Sequence, residues 1–157
     1  MPSRRNNIEL TPEEIRRFLD ARKTIIIVSN GPGGFPHPMP MWFHVDDAGA
    51  VYCTTFAKSQ KVLNYQRDPR ATLLVESGTE YAELKGVVIY ARCEIVPGLD
   101  DVVDTLVKIN TRGRTVDEGQ RQALIGAVSK TASKRVALKF HPERYVSWDH
   151  AKLGGRY

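Results

Sequence analysis

Met39-Pro40-Met41-Trp42-Phe43-His44-Val45 runs into Asp46-Asp47-Ala48-Gly49 and then into Ala50-Val51-Tyr52-Cys53-Thr54-Thr55. Two apolar, β-prone runs flank a short polar turn that ends in glycine, which is the signature of a β-hairpin. Pro36, Pro38 and Pro40 cannot donate ladder hydrogen bonds, so the first strand of this hairpin must start late or lie at a sheet edge.

Upstream, Thr11-Pro12-Glu13-Glu14 opens a helix. Thr11 caps it, Pro12 suits the first helical position, and Glu14 completes a capping box. Ile15, Phe18 and Leu19 form its apolar face, and it should run to about Arg22. A β-branched strand over 24–29 follows, broken by Asn30-Gly31-Pro32-Gly33-Gly34. Downstream, the pattern predicts a helix over 59–66, strands over 70–76 and 85–96, and helices over 98–110 and 116–128. The chain closes with strands over 135–140 and 144–148, separated by His141-Pro142-Glu143. Seven short strands, mostly joined by hairpins, with helices between some of them, describe a small antiparallel barrel decorated by helices. A doubly wound sheet is not expected, because Gly31 to Gly34 lead into Phe-Pro-His-Pro rather than into a helix start. No repeat or linker divides the chain, so one domain over 1–157 is expected.

Composition agrees. The 157 residues are 41% hydrophobic and 26% charged, close to a globular average and unlike a disordered or collagenous chain. The longest aliphatic run, 25–28, is far short of the ~20 apolar residues of a spanning helix, and Met1 to Arg5 carry no signal-like apolar stretch. A cytoplasmic location is expected. Cys53 and Cys93 have neither zinc-ligand nor disulfide-framework spacing and read as small buried residues. The net charge of +5 lies entirely in 130–157, with seven bases (Lys130, Lys134, Arg135, Lys139, Arg144, Lys152, Arg156) against Glu143 and Asp149. Such a segment suits an anionic partner, or it is a solubilising face.

Three clusters can carry chemistry. In Thr54-Thr55-Phe56-Ala57-Lys58-Ser59-Gln60-Lys61, hydroxyls, the free amides of a helix start and two ammonium groups can converge on a phosphate; the plainer reading is that Ser59 caps the helix and both lysines are solvated. Met39-Pro40-Met41-Trp42 offers a flat, uncharged strand against which an aromatic ring system can lie, although such stripes are more often barrel core. Trp148-Asp149-His150-Ala151-Lys152-Leu153-Gly154-Gly155-Arg156-Tyr157 resembles an arm that folds over something, with a frayed end as the alternative. His44 has no second ligand at metal spacing, so no metal site is expected. Nucleic acid is not an expected partner, because the basic end has few interleaved aromatics and no recognition motif.

In this order, the clusters resemble the pyridoxamine 5′-phosphate oxidase-like FMN-binding split-barrel superfamily over nearly the whole chain. Val51 to Thr55, Ser59-Gln60-Lys61 and Tyr65 to Leu73 match its strand, phosphate-binding Ser-x-Lys and following strand. Lys85 to Arg92 and the Trp148 to Tyr157 ending are most similar to the deazaflavin-dependent branch, which binds coenzyme F420. The resemblance implies a mainly β fold, an antiparallel split barrel with peripheral helices. It implies a homodimer with the cofactor site at its interface. Thr54 and Thr55 would bond the cofactor's sugar-alcohol and phosphate. Lys58, Ser59, Gln60 and Lys61 would hold the phosphate, and Met39 to Trp42 would line the ring. Trp148, Lys152 and Arg156 would come from the second protomer. No side chain would make bonds, because the cofactor carries the hydride. True pyridoxamine phosphate oxidases place an Arg and a Lys at the ends of the strand read here as 39–44, and a Gln near Gly86, so vitamin B6 oxidation is not expected. The implied activity is F420-dependent hydride transfer to a small conjugated or aromatic acceptor. The alternatives are an FMN-dependent oxidoreductase and a non-catalytic flavin- or tetrapyrrole-binding module.

Overall fold

The computed structural model describes residues 4–112 and 114–155. Its chain order is α1 (Pro12–Asp20), β1 (Thr24–Asn30), β2 (Pro36–Trp42), β3 (His44–Val45), β4 (Val51–Phe56), α2 (Gln60–Arg67), β5 (Arg70–Ser77), β6 (Lys85–Val96), α3 (Leu99–Thr111), α4 (Glu118–Ala132) and β7 (Arg135–Asp149), closed by a 3₁₀ turn over His150–Leu153. The strands form one seven-stranded sheet in the order β2-β1-β5-β6-β7-β4-β3, and every pairing is antiparallel.

Strands β2 and β3 occupy opposite edges of that sheet, yet Phe43 alone separates them in the chain. One residue spans about 3.5 Å, whereas six strand spacings of a flat sheet cover roughly 29 Å. The sheet therefore has to curl until its edges meet at Phe43, whose side chain is completely buried. The result is a half-barrel, mainly β with four helices around it, as the resemblance implies.

The expected strand over 39–45 is two strands. Its first part pairs with β1, Trp42 opposite Thr24 and Pro36 opposite Asn30; only His44 and Val45 pair with β4, completing the hairpin. The prolines did not delay β2, which starts at Pro36 and lies at an edge. An antiparallel ladder alternates between bonded and non-bonded pairs. Pro36, Pro38 and Pro40 fall at alternate positions opposite Asn30, Val28 and Ile26, so the ladder keeps all its bonds only if these are the non-bonded pairs and the three ring nitrogens face outward.

The expected break at His141-Pro142-Glu143 is also different: β7 is one strand of 15 residues. Tyr90 pairs with Arg144 and Ala91 with Pro142, which leaves Glu143 as the extra residue of a bulge that accommodates the proline.

Local signals elsewhere hold. Thr11 Oγ1 accepts from the Glu14 amide at 3.2 Å and Glu14 Oε2 accepts from the Thr11 amide at 2.8 Å, a complete capping box on α1. That helix buries Phe18 and Leu19 into the main core with Ile25, Ile27, Phe43, Leu73, Ile89, Leu138 and Phe140. A smaller core joins α3 and α4 to β7 through Val102, Ala132 and Ala137. Cys53 and Cys93 are free and buried; burial pushes the Cys93 thiol up to about 12 and the Cys53 thiol higher still. No described helix is long and apolar enough to cross a membrane.

Candidate functional site

Strand β4 ends in Thr54-Thr55-Phe56, and a tight turn delivers the chain to Ser59 and α2. The β-branched threonines suit the strand, yet both are buried polar residues, as is Lys61. Lys61 Nζ donates to Thr55 Oγ1 at 3.0 Å, and Thr55 Oγ1 lies 3.2 Å from Ser59 Oγ. Ser59 makes no side-chain cap on α2: its hydroxyl faces Thr55, so the plainer reading of Ser59 as a cap is not what the chain does. Burial holds the Lys61 ammonium below its ordinary pKa, with Cys53 opposing that shift and Arg135 adding to it.

Arg135 completes the group. It opens β7 directly opposite Phe56. Its Nη1 donates to Thr54 Oγ1 at 3.4 Å, its guanidinium lies 4.3 Å from the centre of the Phe56 ring, and its buried Nε has no hydrogen-bond partner. Among the described residues neither Lys61 nor Arg135 forms an ion pair with a carboxylate. A buried ammonium and a half-buried guanidinium meeting on hydroxyls at a helix start have the composition of an oxyanion site, since an incoming phosphate would supply the missing negative charge. Arg135 was visible in the sequence only as one of seven bases, because its place beside Thr54 depends on the β4–β7 register. Behind this group, Gln60 Nε2 donates to Asn64 Oδ1 and Asn64 Nδ2 donates to Ser29 Oγ, each at 2.9 Å, which ties α2 to β1. Lys58 is exposed at the turn.

The second cluster lies on a strand next to the first. Continued past Phe43, the β3–β4 register would set Trp42 opposite Thr54 and Met41 opposite Thr55. Strand β2 leaves that register for β1, so the two edges part while β2 still packs alongside β4. Along β2, Met39 and Met41 pack on the core, whereas Pro40 and Trp42 are exposed.

The third cluster stands elsewhere in this chain. Trp148 lies thirteen positions beyond Arg135 on β7, roughly 40 Å away along an extended strand, with its indole packed on Gly86. Lys152 Nζ is held by Glu14 Oε2 at 2.7 Å and the Glu9 carbonyl at 2.8 Å. Arg156 lies outside the described residues. The bases of 130–157 do not gather on one face: Arg135 reaches Thr54, Lys139 lies over Tyr52, Arg144 lies over Tyr90, and Lys152 pairs with Glu14. Among the described bases of that segment, Arg135 is the one whose side chain bonds to the Thr54–Lys61 group, while Lys134 meets it through its carbonyl, which accepts from the Ala57 amide.

Residues 11–149 match the family model for pyridoxamine 5′-phosphate oxidase. The chain belongs to the pyridoxamine 5′-phosphate oxidase-like family. This is a family of flavin-binding oxidoreductases, and the curled sheet is its split barrel. Among solved structures, the conserved hypothetical protein Rv2991 from Mycobacterium tuberculosis is 33% identical, covering 98% of this chain and 93% of that one with a TM-score of 0.86. An F420 reductase shares the fold at 21% identity, covering 86% and 95% with a TM-score of 0.63. A FAD-binding protein from Mesorhizobium loti does so at 19%, covering 88% and 92% with a TM-score of 0.59. No curated protein matches the chain.

Proposed function

We propose that this family member uses coenzyme F420 to transfer a hydride to a small conjugated or aromatic acceptor. The observation that carries the reading is a buried ammonium, Lys61, and a half-buried guanidinium, Arg135, joined to Thr55 and Thr54 with no carboxylate among the described residues to balance them. A cofactor phosphate fits that deficit. Thr54, Thr55, Ser59, Lys61 and Arg135 would hold it, with Lys58 adding charge from the rim and Gln60 positioned beside it. Met39 to Trp42 would lie along the cofactor's ring, which would sit in a cleft between β2 and the 54–61 turn. When bound, the cofactor supplies the hydride chemistry; the protein's part is to orient it, balance its charge and keep water from the cleft.

F420 is favoured by the resemblance of 85–92 and of the C-terminal segment to the deazaflavin-dependent branch, and the fold shared with an F420 reductase is compatible with it. The reading includes a homodimer in which a second copy brings Trp148, Lys152 and Arg156 to the cleft. Lys152 would then have to exchange Glu14 for the cofactor.

The test is titration of purified protein, freed of bound small molecules, with F420 and with FMN. A saturable fluorescence change with F420 is expected, and Lys61→Ala should weaken it by about 1.5–3 kcal/mol, the range for a hydrogen bond to a charged group. Saturation by FMN alone replaces F420 with FMN. Consumption of reduced cofactor on adding quinones, nitroaromatics or enones is expected of an enzyme, and its failure leaves a binding module.

A further inference from the structure

At the far end of β2, Trp42 borders a cavity of about 420 Å³ that is also lined by Ala21, Lys23, Ile109, Asn110, Arg112 and Arg114. The lining holds three cations and no carboxylate. None of the three forms an ion pair among the described residues: Arg112 Nη2 donates to the Asp20 carbonyl at 3.2 Å, and Arg114 donates to the carbonyls of Thr111 and Asn110 at 3.2 and 3.1 Å. The nearby Asp20 carboxylate is engaged by Arg16 at 2.8 Å. Arg112 Nη1 is buried without any hydrogen-bond partner. Trp42, 62% exposed, offers the flat apolar face beside these charges.

The backbone adds an independent observation. Arg112 ends α3 at φ 45°, the one described non-glycine residue with positive φ. Glycine would take this position without cost. An arginine there puts a guanidinium between this cavity and the neighbouring one around Phe43 and His44, which it also lines.

We infer that this cavity holds the carboxylate of the acceptor, so that the substrate is a conjugated or aromatic carboxylate and not a neutral molecule. The inference rests on the proposed function in calling the ligand an acceptor and in taking β2 as the strand beside the cofactor ring. Trp42 belongs both to that strand and to this cavity, so a planar molecule stacked there would set its unsaturated part toward the proposed ring position and its anionic end on Arg112, Lys23 and Arg114.

The experiment is calorimetric titration of the purified full-length chain with trans-cinnamate and with trans-cinnamamide, which differ in the charge of one group. Cinnamate should bind about tenfold or more tightly than the amide, as a charge-assisted contact requires, and its affinity should fall with added salt. Arg112→Gly suits the positive φ, so its unfolding midpoint should stay near that of the parent while cinnamate affinity falls about tenfold. Lys23→Ala, on a different element, should lower the affinity in the same direction. Equal binding of acid and amide, or affinities unchanged in both variants, overturns the proposal. The cofactor titration is read separately. If cinnamate discriminates while neither F420 nor FMN binds, the carboxylate site stands and the cofactor reading falls; if a cofactor binds and cinnamate does not discriminate, the reverse holds.

Discussion

Lys61 is more costly to the empty protein than its neighbours, because its ammonium is buried against one hydroxyl and no anion. Lys61→Met keeps the stem and removes the charge, so it should raise the unfolding free energy of cofactor-free protein by on the order of 1 kcal/mol while weakening cofactor binding. The pH dependence has a defined sign. The folded-state pKa is lowered from 10.5, so between the two values the unfolded chain binds more protons and stability rises with pH. Denaturant titrations should therefore show the gap between parent and Lys61→Met narrowing as pH approaches 10.5. At Arg112 the backbone decides: Arg112→Ala and Arg112→Gly both lose the contacts with Phe43 and Asp20, but only alanine keeps the unfavourable positive φ, about 1 kcal/mol or more, so it should melt below Arg112→Gly. The residue types at 54–61 were legible because hydroxyls and lysines at a strand-to-helix turn are a local pattern. Arg135 and Arg112 were not, since one is placed by strand register and the other by a helix end.

Among the elements, the sequence pattern predicts one strand over 85–96 and two over 135–140 and 144–148, whereas β6 pairs along its length with a single strand, β7. Pro142 is a strong local breaker, but the partner strand absorbs it as a bulge, and nothing in the sequence around 141–143 shows where β6 runs. Gly86 is the other informative position. A Cβ there would sit 2.2 Å from Cζ2 of Trp148, so the ring fills space that a side chain would need. Gly86→Ala should displace the indole, shift tryptophan emission to longer wavelength, and lower stability by about 1–3 kcal/mol in thermal or denaturant unfolding. Unchanged emission would mean that the ring is not held on Gly86.

On the scale of the molecule, closure depends on Phe43. It links the two sheet edges and is fully buried, so Phe43→Ala should cost about 3–5 kcal/mol, and it should also loosen the placement of β2 beside β4, which cofactor titration of the variant would register as lost affinity. A second copy is the remaining expectation. If Trp148 serves a neighbour's cleft, sedimentation should show a dimer, and Trp148→Ala should weaken cofactor binding without moving the unfolding midpoint as far as Gly86→Ala does. A monomer that binds cofactor with parental affinity would remove Trp148 from the site.

Residue types and short-range spacing determined what could be decided locally: the capping box of α1, most strands and helices, the buried cysteines, and the gathering of hydroxyls and lysines at the turn into α2. These depend on contacts within a few positions, where hydrogen-bond geometry and side-chain periodicity act directly. Only the tertiary structure decided that β2 and β3 close a curled sheet, that Arg135 stands beside Thr54, that the basic C-terminal segment disperses over four partners, and that Trp42 opens onto three unpaired cations. Each of these joins residues far apart in sequence, and strand register and sheet curvature, set by the packed core as a whole, place them together.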